Sequence, residues 1–280
     1  MKNLDKLIGA YEEQPYSISR KVGVDFVSIG KTRHHIPILF EVDVSTARSA
    51  IQHRKEVTGE GVSFTGWVIK CLAQAASEHK RVHAIRQGRS KLIIFDDVDI
   101  SIAVQRQVTG SELPQTLPMP YVIRKTNEKS LEQIHAEIRA AQVQPLAEGE
   151  QTITEERTAY PPWMLHIFFA LPRFIRNIFW DRLVNDPFYA KKTMGTVVVT
   201  SVGMFGKVGI GNSWGISTGL HPLVVVIGGI ARKPGVIDDR IEIREILSMT
   251  VLFDHDVIDG APVAIFLQRL RDLMESGYGL

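Results

Sequence analysis

Alternation of apolar and polar positions marks the first clear element of this chain. Ile38, Phe40, Val42 and Val44 fall on one side of the run Ile36 to Val44, with Glu41 and Asp43 on the other, the pattern of a half-buried strand. A helix is expected over about Thr46 to Val57, with Ser45 as its cap. Gly59-Glu60-Gly61 interrupts the pattern. From Ser63 to about Glu78 the spacing becomes helical, lining up Trp67, Cys71, Leu72, Ala75 and Ala76 on one face. Two strand-like runs follow, Lys91 to Phe95 and Val98 to Val104. Gly110 to Pro114 then opens a Pro-rich loop that ends in a short strand, Tyr121 to Ile123. Ser130 and Gln133 make a capping-box pattern for a helix from Leu131 to about Val143.

The second half begins with a different texture. Trp163 to Trp180 is rich in Leu, Ile, Phe and Trp, but Pro172, Arg173 and Arg176 interrupt it. It is too broken for a membrane span, which needs about 20 apolar residues. Three readings follow in order: a core or subunit-contact helix pair, a lid over an apolar pocket, and peripheral contact with a membrane surface. Gly195 to Thr200 is a β-branched run and reads as a buried strand. Leu223 to Ile227 is a fully apolar strand ending at Gly228-Gly229. Ile241 to Ile246 and Ser248 to Phe253 read as a strand pair. A last helix, Ala261 to Glu275, places Val263, Phe266, Leu267, Leu270, Leu273 and Met274 at helical spacing.

Composition narrows the class without naming a chemistry. A chain of 280 residues can bury one large core or two small ones. A net charge of +2 argues against an extended polyanion, and so against nucleic acid as a partner. One cysteine, Cys71, cannot make an intramolecular disulfide and suits the reducing cytoplasm. It lies on the apolar face of its helix and reads as core. Met1 to Tyr16 has no long apolar run, so a secretory signal is not expected. His34 and His35 have no Cys or His partner at ligand spacing, which leaves a solvated loop and no metal site. The glycines through Gly215 do not form GxGxxG between a strand and a helix, which discounts a nucleotide-binding fold.

The chemistry concentrates where the last strand meets the last helix. Phe253-Asp254-His255-Asp256-Val257-Ile258-Asp259-Gly260 places a histidine and an aspartate four residues apart at that junction. Histidine is the side chain best able to take and return a proton near neutral pH. The residues also admit a structural reading, with Asp259 as N-cap and Pro262 in the first turn of the helix.

His255 to Gly260 resembles the HxxxDG signature of the acyltransferase (E2) catalytic domain of 2-oxoacid dehydrogenase complexes, shared with chloramphenicol acetyltransferase. Other segments carry the same resemblance. Ser17-Ile18-Ser19-Arg20-Lys21 is similar to the family's SxxRK entry, Val98 to Val104 to its VNIGIAV strand, and Lys129-Ser130-Leu131 to its KSL segment. Val82-His83-Ala84 stands where an asparagine is usual before the alanine. Ser201-Val202-Gly203-Met204-Phe205-Gly206, following the β-branched strand, resembles the family's FTISNLGMFG segment, and Leu223 to Gly228 its AILAVG strand.

The resemblance implies an α/β fold of the chloramphenicol acetyltransferase type, a mixed sheet covered by helices, that forms trimers. One catalytic domain would span residues 1–280, with an atypical apolar insert at about 145–187. His255 is implied as the general base and Thr200 as the oxyanion stabiliser, with Ser201 as fallback should the register shift by one. Asp259, paired with Arg20, would organise the loop, and Gly260 completes the motif. Coenzyme A or acyl-CoA is the implied substrate, with no metal and no lipoyl group on this chain. Lipoyl groups would come from a separate protein, and the partners are a homotrimer or a larger assembly of trimers. Two other functions fit: acyl transfer to a non-lipoyl small-molecule or lipid acceptor, and a non-catalytic trimeric assembly subunit.

Overall fold

The computed structural model describes residues 9, 11–14, 16, 18–59, 61–109, 115–143, 146–147, 150–151, 158–159, 162–201 and 213–280. In chain order these form α1 (Ile18–Gly30), β1 (His35–Asp43), α2 (Ser45–Thr58), α3 (Phe64–Glu78), β2 (Ile85–Gln87), β3 (Lys91–Ile93), β4 (Ile100–Thr109) and β5 (Gln115–Ile123). Then come α4 (Leu131–Val143), the short strands β6 (Leu146–Ala147), β7 (Glu150–Gln151) and β8 (Thr158–Ala159), and α5 (Pro162–Ala170). The chain closes with α6 (Arg173–Asn185), α7 (Pro187–Met194), β9 (Val197–Ser201), β10 (Leu223–Ile237), β11 (Arg240–Asp254) and α8 (Gly260–Glu275).

One mixed sheet organises the described chain, in the order β1-β11-β10-β9-β4-β5, with β6 beside β4. β9 runs parallel to both β10 and β4, whereas β11 runs antiparallel to β1 on one side and to β10 on the other. The main core fills one face. α3 contributes Trp67, Cys71, Leu72, Ala75 and Ala76, all fully buried, and α8 contributes Val263, Phe266, Leu270, Leu273 and Met274. Each such large apolar side chain stabilises the fold by about 1.5–3 kcal/mol on leaving water. Burial pushes the Cys71 thiol up to about 12, which keeps it an inert core group. The other face is thinner, with Val224, Val226 and Leu252 packed against Val198.

Local signals hold in several places. Ser130 N–H donates to Gln133 Oε1 at 2.8 Å and Gln133 N–H to Ser130 Oγ at 3.2 Å, the reciprocal bonds of a capping box. Ser63 Oγ accepts from Gly66 N–H, capping α3. Gly59 adopts the left-handed conformation that ends α2.

Four expectations are corrected. Ile241–Ile246 and Ser248–Phe253 are one strand, β11, because no turn residue separates them; the reversal falls at Asp238 and Asp239, both at positive φ. β5 begins at Gln115 and runs through the prolines, which its edge position tolerates. Ser45 is the first residue of α2, not its cap: its Oγ accepts from Glu245 N–H, and its own N–H donates to Asp43 Oδ1. His35 is not in a solvated loop; it begins β1, half-buried, with its ring bonded to His221 O at 2.9 Å. Ser17 and residues 110–114 and 202–212 lie outside the described residues.

The broken apolar run forms α5 and α6. Arg176 pairs with buried Asp25 of α1 at 3.0 Å, Trp180 Nε1 donates to the same carboxylate, and Phe26 packs on the Trp180 ring. The outer side remains open, with Trp163, Ile167, Phe174, Ile178 and Phe179 each more than half exposed. Among the described residues no helix is long and apolar enough to cross a membrane.

Gly195 joins α7 to β9 at φ +79°, and a Cβ there would stand 2.7 Å from Asp99 O. Gly195→Ala should therefore destabilise the fold by about 2–4 kcal/mol, strain and clash together. Urea unfolding checks this; an unchanged midpoint contradicts it.

Candidate active site

β11 delivers His255. Its last residue, Asp254, is 2% exposed, and the chain leaves the sheet in a tight turn: Val257 N–H and Ile258 N–H donate to Asp254 O at 3.0 and 3.3 Å. Asp254 Oδ1 also accepts from Asp256 N–H at 3.1 Å. His255 is exposed, its ring 6.0 Å from the Phe253 ring. Its backbone N–H donates to His34 O at 3.0 Å, which leaves the imidazole free of the turn's own bonding.

The segment before β1 closes on this turn from the other side. Antiparallel pairing sets His35 opposite Asp254. Arg33 Nη1 lies 3.5 Å from Asp254 Oδ2, and His34 Nδ1 lies 2.9 Å from Asp256 Oδ1. Arg86 adds a cation 3.3 Å from the other oxygen of Asp256. The hydrogen bond from His34 holds the Asp256 carboxyl below its usual range. Beneath the turn, His221 bonds through Nε2 to Met194 O at 2.9 Å, and burial lowers its pKa to about 4. His35 is lowered too, chiefly by burial. Both rings are therefore neutral at pH 7 and donate Nε2–H to a carbonyl. Of these partners only His34 and His35 were singled out in the sequence, and then as loop residues; Arg33, Arg86 and His221 were not. The usable signal was charge complementarity, Arg33-His34-His35 against Asp254-His255-Asp256, visible once β1 and β11 are taken as antiparallel neighbours.

The remaining candidates are dispersed. Asp259 occupies the N-cap position of α8, but its side chain makes no cap hydrogen bond. It has no ion-pair partner among the described residues, so the Arg20–Asp259 pair is not formed within this chain; Arg20 stands exposed on the first turn of α1. Among the described residues a Cβ added at Gly260 would meet nothing within 4 Å.

Thr200 and Ser201 end β9, several residues along the sheet from His255. Thr200 is level with Val226 of β10, which pairs with Thr250 of β11. Five residues of extended chain separate Thr250 from His255, about 17 Å along the strand direction. Thr200 shares the thinner sheet face with Val198, and the alternation turns Ser201 to the helix-covered face. Both are half-buried. Among the described residues the Thr200 hydroxyl has no hydrogen-bond partner. No three His, Cys, Asp or Glu side chains among the described residues group so as to hold a metal ion.

A family model, 2-oxoacid dehydrogenases acyltransferase (catalytic domain), matches residues 9–155 and 190–279. The chain belongs to this family. The acyltransferase match leaves out residues 156–189, which hold α5 and α6. The lipoamide acyltransferase component of the branched-chain alpha-keto acid dehydrogenase complex of Bacillus subtilis is 25% identical over 95% of this chain. The alignment takes in 52% of that relative, so the chain spans about half its length. Two solved structures share the fold. A probable dihydrolipoamide acetyltransferase from Listeria monocytogenes has a TM-score of 0.62 at 24% identity, over 95% of both chains. The dihydrolipoamide acetyltransferase of Azotobacter vinelandii has a TM-score of 0.66 at 20% identity, covering 96% of this chain and 93% of that one. The mixed sheet covered by helices is thus the fold of these acyltransferase cores.

Proposed function

We propose that this protein is a CoA-dependent acyltransferase that moves an acyl group between coenzyme A and the thiol of a dihydrolipoyl group. The observation that carries this reading is the turn at His255, which presents an exposed imidazole at the strand–helix junction, with Asp259 four residues on, inside a chain of the acyltransferase family. The Azotobacter enzyme was studied for the catalytic roles of a serine, a histidine and an asparagine four positions after that histidine. His255 and Asp259 have the same spacing here, and Thr200 supplies a hydroxyl.

The chemistry follows from these groups. His255 takes the proton of the attacking thiol as sulfur bonds to the thioester carbonyl carbon. The carbonyl oxygen becomes an oxyanion, and the Thr200 hydroxyl donates to it. The intermediate collapses by breaking the original carbon–sulfur bond, and His255 returns the proton to the departing CoA thiolate. Asp259 follows His255 at the motif spacing with Gly260 behind it, any pairing with Arg20 must come from a neighbouring subunit, and Ser201 is the alternative hydroxyl to Thr200.

One chain cannot assemble this site, because about 17 Å of strand separates Thr200 from His255. The reading therefore requires His255 from one subunit and Thr200 from its neighbour, in a homotrimer or an assembly of trimers. The lipoyl group comes from a separate protein, and the setting is the cytoplasm. A second reading, transfer to a non-lipoyl acceptor, is favoured by α5 and α6, which lie outside the family match and expose apolar side chains.

The test mixes the purified protein with a panel of acyl-CoAs and dihydrolipoamide and follows acyl exchange by mass spectrometry. Acyl-dihydrolipoamide is the expected product. Transfer to amines or alcohols instead would establish the second reading. Trimers that exchange nothing would sink both and leave an assembly role.

A further inference from the structure

Arg33 stands where three elements meet. It precedes β1, its Nη1 lies 3.5 Å from Asp254 Oδ2 at the end of β11, and its Nη2 donates to Val184 O at 2.9 Å. Val184 is in the last turn of α6, where carbonyls lack helical partners and a cation is favoured. Both side chains of the pair are largely withdrawn from water, Arg33 to 12% and Asp254 to 2% exposure. A charge pair so placed is weakly screened, and losing one member strands the other. Asp254 also accepts the Asp256 N–H, so its carboxylate sets the backbone on both sides of His255.

We propose that Arg33 is a positioning residue for His255: paired with Asp254 and seated on the C-terminal carbonyl of α6, it fixes the turn that presents the imidazole. The family match omits residues 156–189, so the Val184 carbonyl under Arg33 belongs to a segment the family pattern does not include. The orientation of the catalytic turn is thereby tied to α6. This inference rests on the role proposed for His255. Arg33 itself does not touch the reacting atoms.

The test compares Arg33→Met, Arg33→Lys and wild type in the full-length protein by two independent readouts. In acyl exchange, Arg33→Met should lose at least tenfold in kcat with KM for CoA changed less than threefold. Added guanidinium should restore part of that loss, and Arg33→Lys should lie between. In parallel, NMR of the His255 ring and amide exchange at His255 and Asp256 should show a shifted imidazole signal and faster exchange in Arg33→Met. The second readout needs no substrate. A wild type inactive with every donor would overturn the acyltransferase reading and leave the NMR comparison to decide the inference. Unchanged His255 signals and amide protection in Arg33→Met would overturn it. A loss in KM alone would also overturn it.

Discussion

His255→Ala lowers the rate of acyl exchange by about a thousandfold at pH 7. A free thiol has a pKa of about 8.5, so only a few per cent is thiolate at neutral pH, and the base supplies the rest during attack. The same reasoning fixes the variant's pH dependence. As pH rises from 7 toward 8.5, the thiol ionises without help, and the residual rate should climb about tenfold per unit before levelling off. The substitution should spare the fold. The side chain is exposed, and the bond to His34 O comes from the backbone, which alanine keeps. Stopped-time exchange assays from pH 6.5 to 9.5 check the point. Wild-type rates in the variant would remove His255 from the mechanism.

Thr200→Val should lower kcat by about a hundredfold, the usual order for a lost oxyanion donor. Valine suits a strand and keeps the branched shape, so the comparison isolates the hydroxyl. Thr200→Ser should retain most activity. The decisive form of the experiment uses both variants. If each site joins His255 of one subunit to Thr200 of the next, chains of Thr200→Val and His255→Ala mixed equally and reassembled should regain about a quarter of the wild-type rate, the fraction of boundaries with both groups intact. Separate variants that stay inactive after mixing, while mass analysis shows mixed trimers, would place the whole site within one chain or elsewhere.

Periodic segments were the most legible part of this chain. The faces of α3 and α8 follow from 3.6-residue spacing, and the capping box at Ser130 and Gln133 from a four-residue pattern. Those interactions are local, so the information for them is local too. Where prediction failed, a neighbour in space outweighed the neighbour in sequence. Ser45 turned its hydroxyl to Glu245, 200 positions away, and β5 kept its prolines because among the described residues no strand pairs with its outer edge.

The candidate chemistry divides along the same line. His255 and Asp259 stood out in the sequence by their spacing at a strand–helix junction, and Thr200 was implied by the resemblance to the acyltransferase family. Their arrangement was not visible there: β9 lies parallel to β10, and the register of β9, β10 and β11 sets Thr200 about 17 Å along the strands from His255. The clamp of Arg33, His34 and His35 on the turn was equally hidden, since it exists only when β1 pairs with β11. The sequence by itself determined the apolar faces of α3 and α8, the capping box of α4 and a histidine able to carry a proton after the last strand. Only the tertiary structure decided which of them meet, because strand order and register are set by long-range pairing and core packing that no local window contains.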